Sequence, residues 1–186
     1  FDRLIGLGPQ EIQVGILKRL RGTPIARHDG EWRMVYSAHA PYEILQNKLI
    51  SFAEMQRLRR FAKYWELVGN SGNFAESAPL IWREASPFLN FIGFSDWLFA
   101  HIGRTDSIAL ARLMELLFRF LTEERRLDSR TVAEALWRDY QRGGRRDKPP
   151  FLVPFLADAD ALRPSKSSSA GVPRRQARHA APQTAD

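Results

Sequence analysis

Cysteine is absent from all 186 residues. That excludes disulfides and thiolate metal sites within the chain, and it agrees with an expected reducing, cytoplasmic location. Histidine is scarce: there are four, and none falls in an H-x-x-x-H or H-E-x-x-H spacing. His28, next to Asp29, and His39 are therefore read as surface or capping groups, and His101 as an imidazole meeting carbonyls near a helix end. Long apolar runs are lacking too. Asn90, Asp96, Arg112, Glu115 and Arg119 interrupt the richest stretches, so neither offers the roughly 20 uncharged residues a bilayer span needs, and no membrane partner is expected. Ser71 sits between Asn70 and Gly72 without a G-x-S-x-G context, which argues against a hydrolase nucleophile elbow. No charged leader with a small-residue cleavage site opens the chain, and no fixed-period repeat runs through it. It starts at Phe1, directly in the amphipathic run Phe1, Leu4, Ile5, Leu7, as a chain cut inside an element would.

What is present supports one ordinary core: 44% of the residues are hydrophobic. The net charge of +7 is unevenly spread. Residues 141–186 hold nine Lys/Arg and four Asp, whereas residues 1–140 are nearly balanced. The excess lies in a Pro-, Ser-, Ala- and Arg-rich tail whose composition cannot offset its ordering entropy, so it is expected to be a disordered spacer. Salt-sensitive polyanion binding by that tail is the alternative; a nucleic-acid partner is not the expectation.

Along the chain the pattern changes once. Residues 11–20 alternate Ile12, Val14 and Ile16 with Gln13, Gly15 and Leu17 between Pro9 and Gly22, which predicts a strand. One strand needs neighbours for its backbone groups, and the run 32–36 is the only other candidate, so most of its sheet is expected upstream of Phe1. From Ser51 the period is helical. Ser51 and Glu54 form a capping box, followed by Phe52, Met55, Leu58, Phe61, Ala62, Trp65 and Val68, with Gly69 as a left-handed cap. Arg57, Arg59, Arg60 and Lys63 read as its solvated face. A short helix is predicted near 74–84, another after Ser86-Pro87, one capped by Thr105 or Asp106, and one capped by Asp128 or Ser129 and ended by Gly143-Gly144.

Read in order, FDRL, EIQVGILKRLRGTPI, MVYSAHAPYEIL, FAKYW and NSGNF, between Phe1 and Leu121, resemble the carboxyl-terminal domain of unknown function of cobalamin-binding-type radical S-adenosylmethionine (SAM) proteins. Ala40, where a proline is expected, and Asn73, where a basic residue is usual, depart from that pattern. The resemblance implies a mainly α fold. Four or five helices follow one or two N-terminal strands that close a partial (β/α) radical SAM barrel, with residues 1–30 the barrel's end, 31–142 the helical domain and 143–186 linker and tail. It also implies a parent protein whose upstream domains, joined in the same polypeptide, bind a four-iron iron–sulfur cluster, SAM and cobalamin. This chain would close the barrel or cap the site of an unidentified substrate, and would be inactive alone. Gln13, Gly15, Leu17, Lys18, Gly22, Thr23 and Pro24 are the positions the resemblance places nearest the cofactor; no catalytic or metal residue is assigned.

Two further readings remain. Tyr36, Tyr42, Tyr64 and Trp65 are either core or a cover that keeps water from a barrel mouth. The whole chain is alternatively a free-standing helical interaction module whose strand pairs with a partner sheet.

Overall fold

The computed structural model describes residues 1–83 and 85–156. Helices dominate, as the periodicity predicts, with one small antiparallel sheet. The first helix, α1 (Asp2–Gly6), is tied into the core by two adjacent residues. The Phe1 ring stands edge-on to Phe61 and Trp65 at 5.1 and 4.8 Å. The Asp2 carboxylate accepts hydrogen bonds from the Ser86 hydroxyl and from the Phe88 N–H at 2.7 Å, which together hold it below the usual carboxylate range.

Residues 11–20, expected as a strand, run extended but enter a ladder only at Lys18, which bridges Glu43. A turn of 3₁₀-helix, Pro24–His28, leads into α2 (Asp29–Trp32), and Arg33 reverses the chain with φ 48°. Because Trp32 completes α2, the predicted run 32–36 contributes only β1 (Val35–Tyr36). Its partner is β2 (Ile44–Gln46), three residues too short to register as an alternating pattern. Val35 faces Gln46 and Tyr36 faces Ile44, with an irregularity between them.

Helix α3 (Phe52–Val68) starts with the predicted capping box: Glu54 N–H donates to Ser51 Oγ at 3.3 Å and Ser51 N–H to Glu54 Oε2 at 2.8 Å. It buries Met55, Phe61, Tyr64, Trp65 and Val68. Gly69 follows at φ −73°, so it is not the left-handed cap its position suggests. The Trp65 indole explains the glycine: a Cβ at position 69 would lie 2.6 Å from that ring.

In place of a helix near 74–84 the chain makes a 3₁₀ turn, Ala78–Ile81. The N–H groups of Glu76 and Ser77, which would start a helix there, instead donate to Asp139 at 3.0 and 2.9 Å. Helix α4 (Pro87–Ile102) is capped by Ser86 and ends at Gly103 with φ 71°, a conformation that glycine adopts without steric cost. Helix α5 (Leu110–Arg119) begins later than Thr105 or Asp106, because Ser107 at φ 54° interrupts the helical path and Ala109 becomes its cap. A wide turn, Phe120–Glu124, then carries Phe120 onto Phe94 and Trp97, at 4.9 and 5.4 Å. Helix α6 (Ser129–Arg142) starts on Asp128, which accepts from Thr131 N–H at 2.8 Å.

Helix α6 is fastened to the 3₁₀ turn by a buried carboxylate. Asp139 accepts the Glu76 and Ser77 amides, the Ser77 hydroxyl at 2.7 Å and an Arg142 N–H at 2.9 Å. Burial pushes its carboxyl up, against the pull of these donors. The segment after α6, counted with the linker on composition, is not all spacer. Leu152 and Leu156 are buried, and Phe151 and Phe155 pack on Phe118 at 5.8 and 5.1 Å. Most of the predicted disordered tail, residues 157–186, lies outside the described residues. Among the described residues no helix is long and apolar enough to cross a membrane.

Candidate functional site

The extended segment is pinned at two places. At its start the Asn70 side chain acts as a substitute peptide group. Ile12 N–H donates to Asn70 Oδ1 at 3.2 Å, Asn70 Nδ2 donates to the Ile12 carbonyl at 3.1 Å, and Trp65 Nε1 donates to the same carbonyl at 3.0 Å. Ile12 is thereby buried without a neighbouring strand. Farther on, Ile44 N–H donates to the Leu17 carbonyl and Arg19 N–H to the Tyr42 carbonyl, both at 2.9 Å. Between these anchors, residues 13–16 receive no backbone hydrogen bond from the described residues. Val14 packs on the core and Ile16 is half-buried, whereas Gln13, Gly15 and Leu17 face out.

This segment forms one wall of a groove of about 790 Å³. The other wall is a face of α3, where Gln56, Arg59, Arg60, Lys63 and Glu66 recur at the three- and four-residue spacing that brings side chains above one another. Glu43, Ala62, Phe99 and Thr105 complete the lining.

The predicted solvated face is thus divided. Arg57 turns to Asp96, its Nε 3.0 Å from Oδ2, and this hydrogen bond raises the guanidinium's pKa. Arg59 pairs with Glu43 at 2.9 Å. Arg60 lies 4.6 Å over the Phe99 ring and 3.7 Å from Asp96, while its Nε is buried without a hydrogen-bond partner among the described residues. Lys18 and Lys63 are exposed, and no ion pair among the described residues reaches either ammonium.

Of the positions singled out on resemblance, Gln13, Gly15 and Lys18 meet in this groove. Leu17 lies beside it, 42% exposed and with its carbonyl taken by Ile44. Gly22 and Thr23 line a second cavity of about 420 Å³, with Arg19, Leu20, Arg21, Ala26 and Tyr42. There the segment RGTP is also a turn: Gly22 has φ 81°, and the Thr23 hydroxyl donates to the Leu20 carbonyl at 2.7 Å. Pro24 opens the following 3₁₀ turn and leaves Thr23 extended at φ −85°, ψ 147°.

The aromatics part company as well. Tyr64 and Trp65 are core; burial pushes the Tyr64 phenol up to about 12 while its hydroxyl donates to the Arg104 carbonyl at 2.8 Å. Tyr36 is half-buried, and Tyr42, exposed at φ 58°, borders the second cavity. Of the described histidines, His101 Nδ1 lies 2.8 Å from the Trp97 carbonyl, half-buried His28 accepts from Arg27 Nε, and His39 is exposed. Among the described residues no group of three or more metal-ligating side chains occurs. Ser71 is a turn residue, its Oγ accepting from Asn73 N–H.

Asn70 is not marked as a contact by the sequence, and Arg59, Arg60 and Lys63 appear there only as part of a solvated face. The faint signal was spacing: positions 59, 60 and 63 share a face, and Asn70 follows a glycine required by Trp65.

Fold and groove together define a small helical domain with an open extended edge. Residues 30–170 match the model of a family described as protein of unknown function (DUF4080), and the chain belongs to that family. The match takes in α3 and its cations but begins after residues 11–24. No curated protein and no solved structure matches the chain.

Proposed function

We propose that this chain is the carboxyl-terminal portion of a radical SAM enzyme with cobalamin-binding-type architecture. Residues 11–24 complete the barrel formed by upstream domains of the same polypeptide, and the helical body caps the substrate side. The observation that carries the reading is the run 13–16: extended, fixed at both ends, and with backbone donors and acceptors left for another strand. Exposed apolar side chains support a docked partner. Leu4, Leu7, Leu17, Leu20, Val35, Tyr42, Leu49 and Phe52 all lie in the first third of the chain, against Leu89 and Val153 beyond it.

The four-iron cluster does not fit this chain, which has no cysteine, so its ligands belong to the upstream part. SAM fits differently. Gln13, Gly15 and Lys18 in the groove, and Gly22 and Thr23 in the second cavity, offer polar groups and unobstructed backbone of the kind an adenosyl group requires, with Pro24 fixing Thr23 and Leu17 flanking them. When bound, the cluster, SAM and cobalamin supply the one-electron and methyl-transfer chemistry. This chain's residues position and shield: Tyr36 and Tyr42, on the β1–β2 turn region, exclude water from the barrel mouth.

The test is hydrogen exchange on the full-length protein against the 186-residue chain. Amides 13–16 are expected to be slow in the first and fast in the second, and Tyr42→Ala in the full-length protein should lower product formation with iron content unchanged. Equal exchange in both, or an upstream reading frame without C-x-x-x-C-x-x-C, overturns the reading. In that event the helical interaction module, whose edge pairs with a separate partner, takes its place.

A further inference from the structure

We propose that the groove between the extended segment and α3 binds a small organic phosphate, a phosphomonoester or diphosphate, with Lys18 and Lys63 as the charges that meet it. The groove is built wholly from this chain, so the inference stands without the radical SAM reading.

Charge accounting carries it. Lys18, Arg59, Arg60 and Lys63 line the cavity against two carboxylates, Glu43 and Glu66. Both carboxylates are engaged: Glu43 with Arg59 at 2.9 Å, and Glu66 with the Asn70 amide at 3.1 Å. Arg60 is drawn to Asp96 and laid over Phe99. That leaves the ammonium groups of Lys18 and Lys63 without an ion pair among the described residues, although Glu43 stands across from Lys18 and Glu66 follows Lys63 by three positions, so the lining holds four cations against two carboxylates. A carboxylate ligand brings a single charge to that excess, whereas a phosphate brings about two and several oxygens that accept charge-assisted hydrogen bonds.

Volume sets the ligand's class. About 790 Å³ is far more than a phosphate group fills and lies in the range of sites for small organic molecules. Gln13, Gln56 and Thr105 supply neutral donors and acceptors for the remainder. A nucleic-acid strand is a poorer fit, because the one aromatic ring in the lining, Phe99, is covered by Arg60 and offers no stacking platform.

The test is calorimetric titration of the 186-residue chain with inorganic pyrophosphate at low ionic strength, with acetate as comparator. Pyrophosphate should bind and acetate should bind at least about tenfold more weakly, the difference of roughly one charge-assisted contact. Lys18→Gln and Lys63→Gln should each weaken pyrophosphate about tenfold. Neither lysine has an ion-pair partner among the described residues, so both variants should keep the parent's melting temperature. Replacing Arg174, Arg175 and Arg178 of the basic tail by Gln, in the full chain, should leave the affinity unchanged. Absence of binding by the folded chain, affinity unmoved by either lysine substitution, loss on neutralising the tail, or acetate equalling pyrophosphate would each overturn the proposal.

Discussion

The side-chain amide of Asn70 lies against the peptide group of Ile12 as an adjacent strand would, accepting from its N–H and donating to its carbonyl. The pair spans 58 positions of sequence and fixes where the extended segment enters the core. Asn70→Ala should therefore cost about 2 kcal/mol, the scale for orphaning buried backbone groups. Denaturant unfolding measures it, and the Ile12 amide should become the most accelerated in hydrogen exchange. An unchanged midpoint would mean that Trp65 alone holds the start of the segment.

Gly69 offers a test of sign. Its backbone is right-handed, so on helix propensity alone Gly69→Ala would stabilise by about 0.8 to 1 kcal/mol. The Trp65 indole, 2.6 Å from the site of the new Cβ, predicts the reverse, a loss of about 1 to 3 kcal/mol from overpacking. A melting temperature below the parent's is the expected outcome.

Leu152 reports on the segment after α6. It is fully buried, so Leu152→Ala should destabilise by about 2 to 5 kcal/mol, as core truncations do. The same substitution in a spacer would register within about 0.5 kcal/mol, the ordinary scale of surface changes.

Acid should loosen the start of the chain and the start of α6 together. Asp2 and Asp128 both have carboxyls held below the ordinary value of 3.8: Asp2 by the Ser86 hydroxyl and then the Phe88 amide, Asp128 by the Thr131 amide and then its hydroxyl. A depressed folded-state pKa contributes stability above the unfolded value, and that contribution is lost as the pH falls through the folded one. Stability should thus decline below about pH 4, and the decline should be shallower in Asp2→Asn and Asp128→Asn. Urea midpoints between neutral pH and pH 2.5 decide the matter, with identical slopes in parent and variants as the contrary result.

Much of this architecture is readable from residue order because it rests on local rules. Ser51 with Glu54, Asp128, Ser86 before Pro87, and the three- and four-residue spacing of Met55, Leu58, Phe61, Ala62, Trp65 and Val68 act within a turn or two of helix, although Phe52, at the start of that stripe, is 52% exposed. The departures come from contacts made across the chain. Asp139 takes the amides that would have begun a helix at Glu76, 63 positions away, and the alternation of Ile12, Val14 and Ile16 reports a buried face without saying what lies along the edge. The groove was half legible for the same reason. Gln13, Gly15 and Lys18 are marked by resemblance alone, whereas Arg59, Arg60 and Lys63 become a wall only once Asn70 and β2 hold the segment opposite α3.

Trp65 has a use beyond packing. Its indole N–H is spent on the Ile12 carbonyl, so its emission is a built-in optical gauge of whether the segment is seated. Peeling the segment away would wet that indole and shift its light to the red, a change read against Trp65→Phe, whose spectrum carries the other four tryptophans.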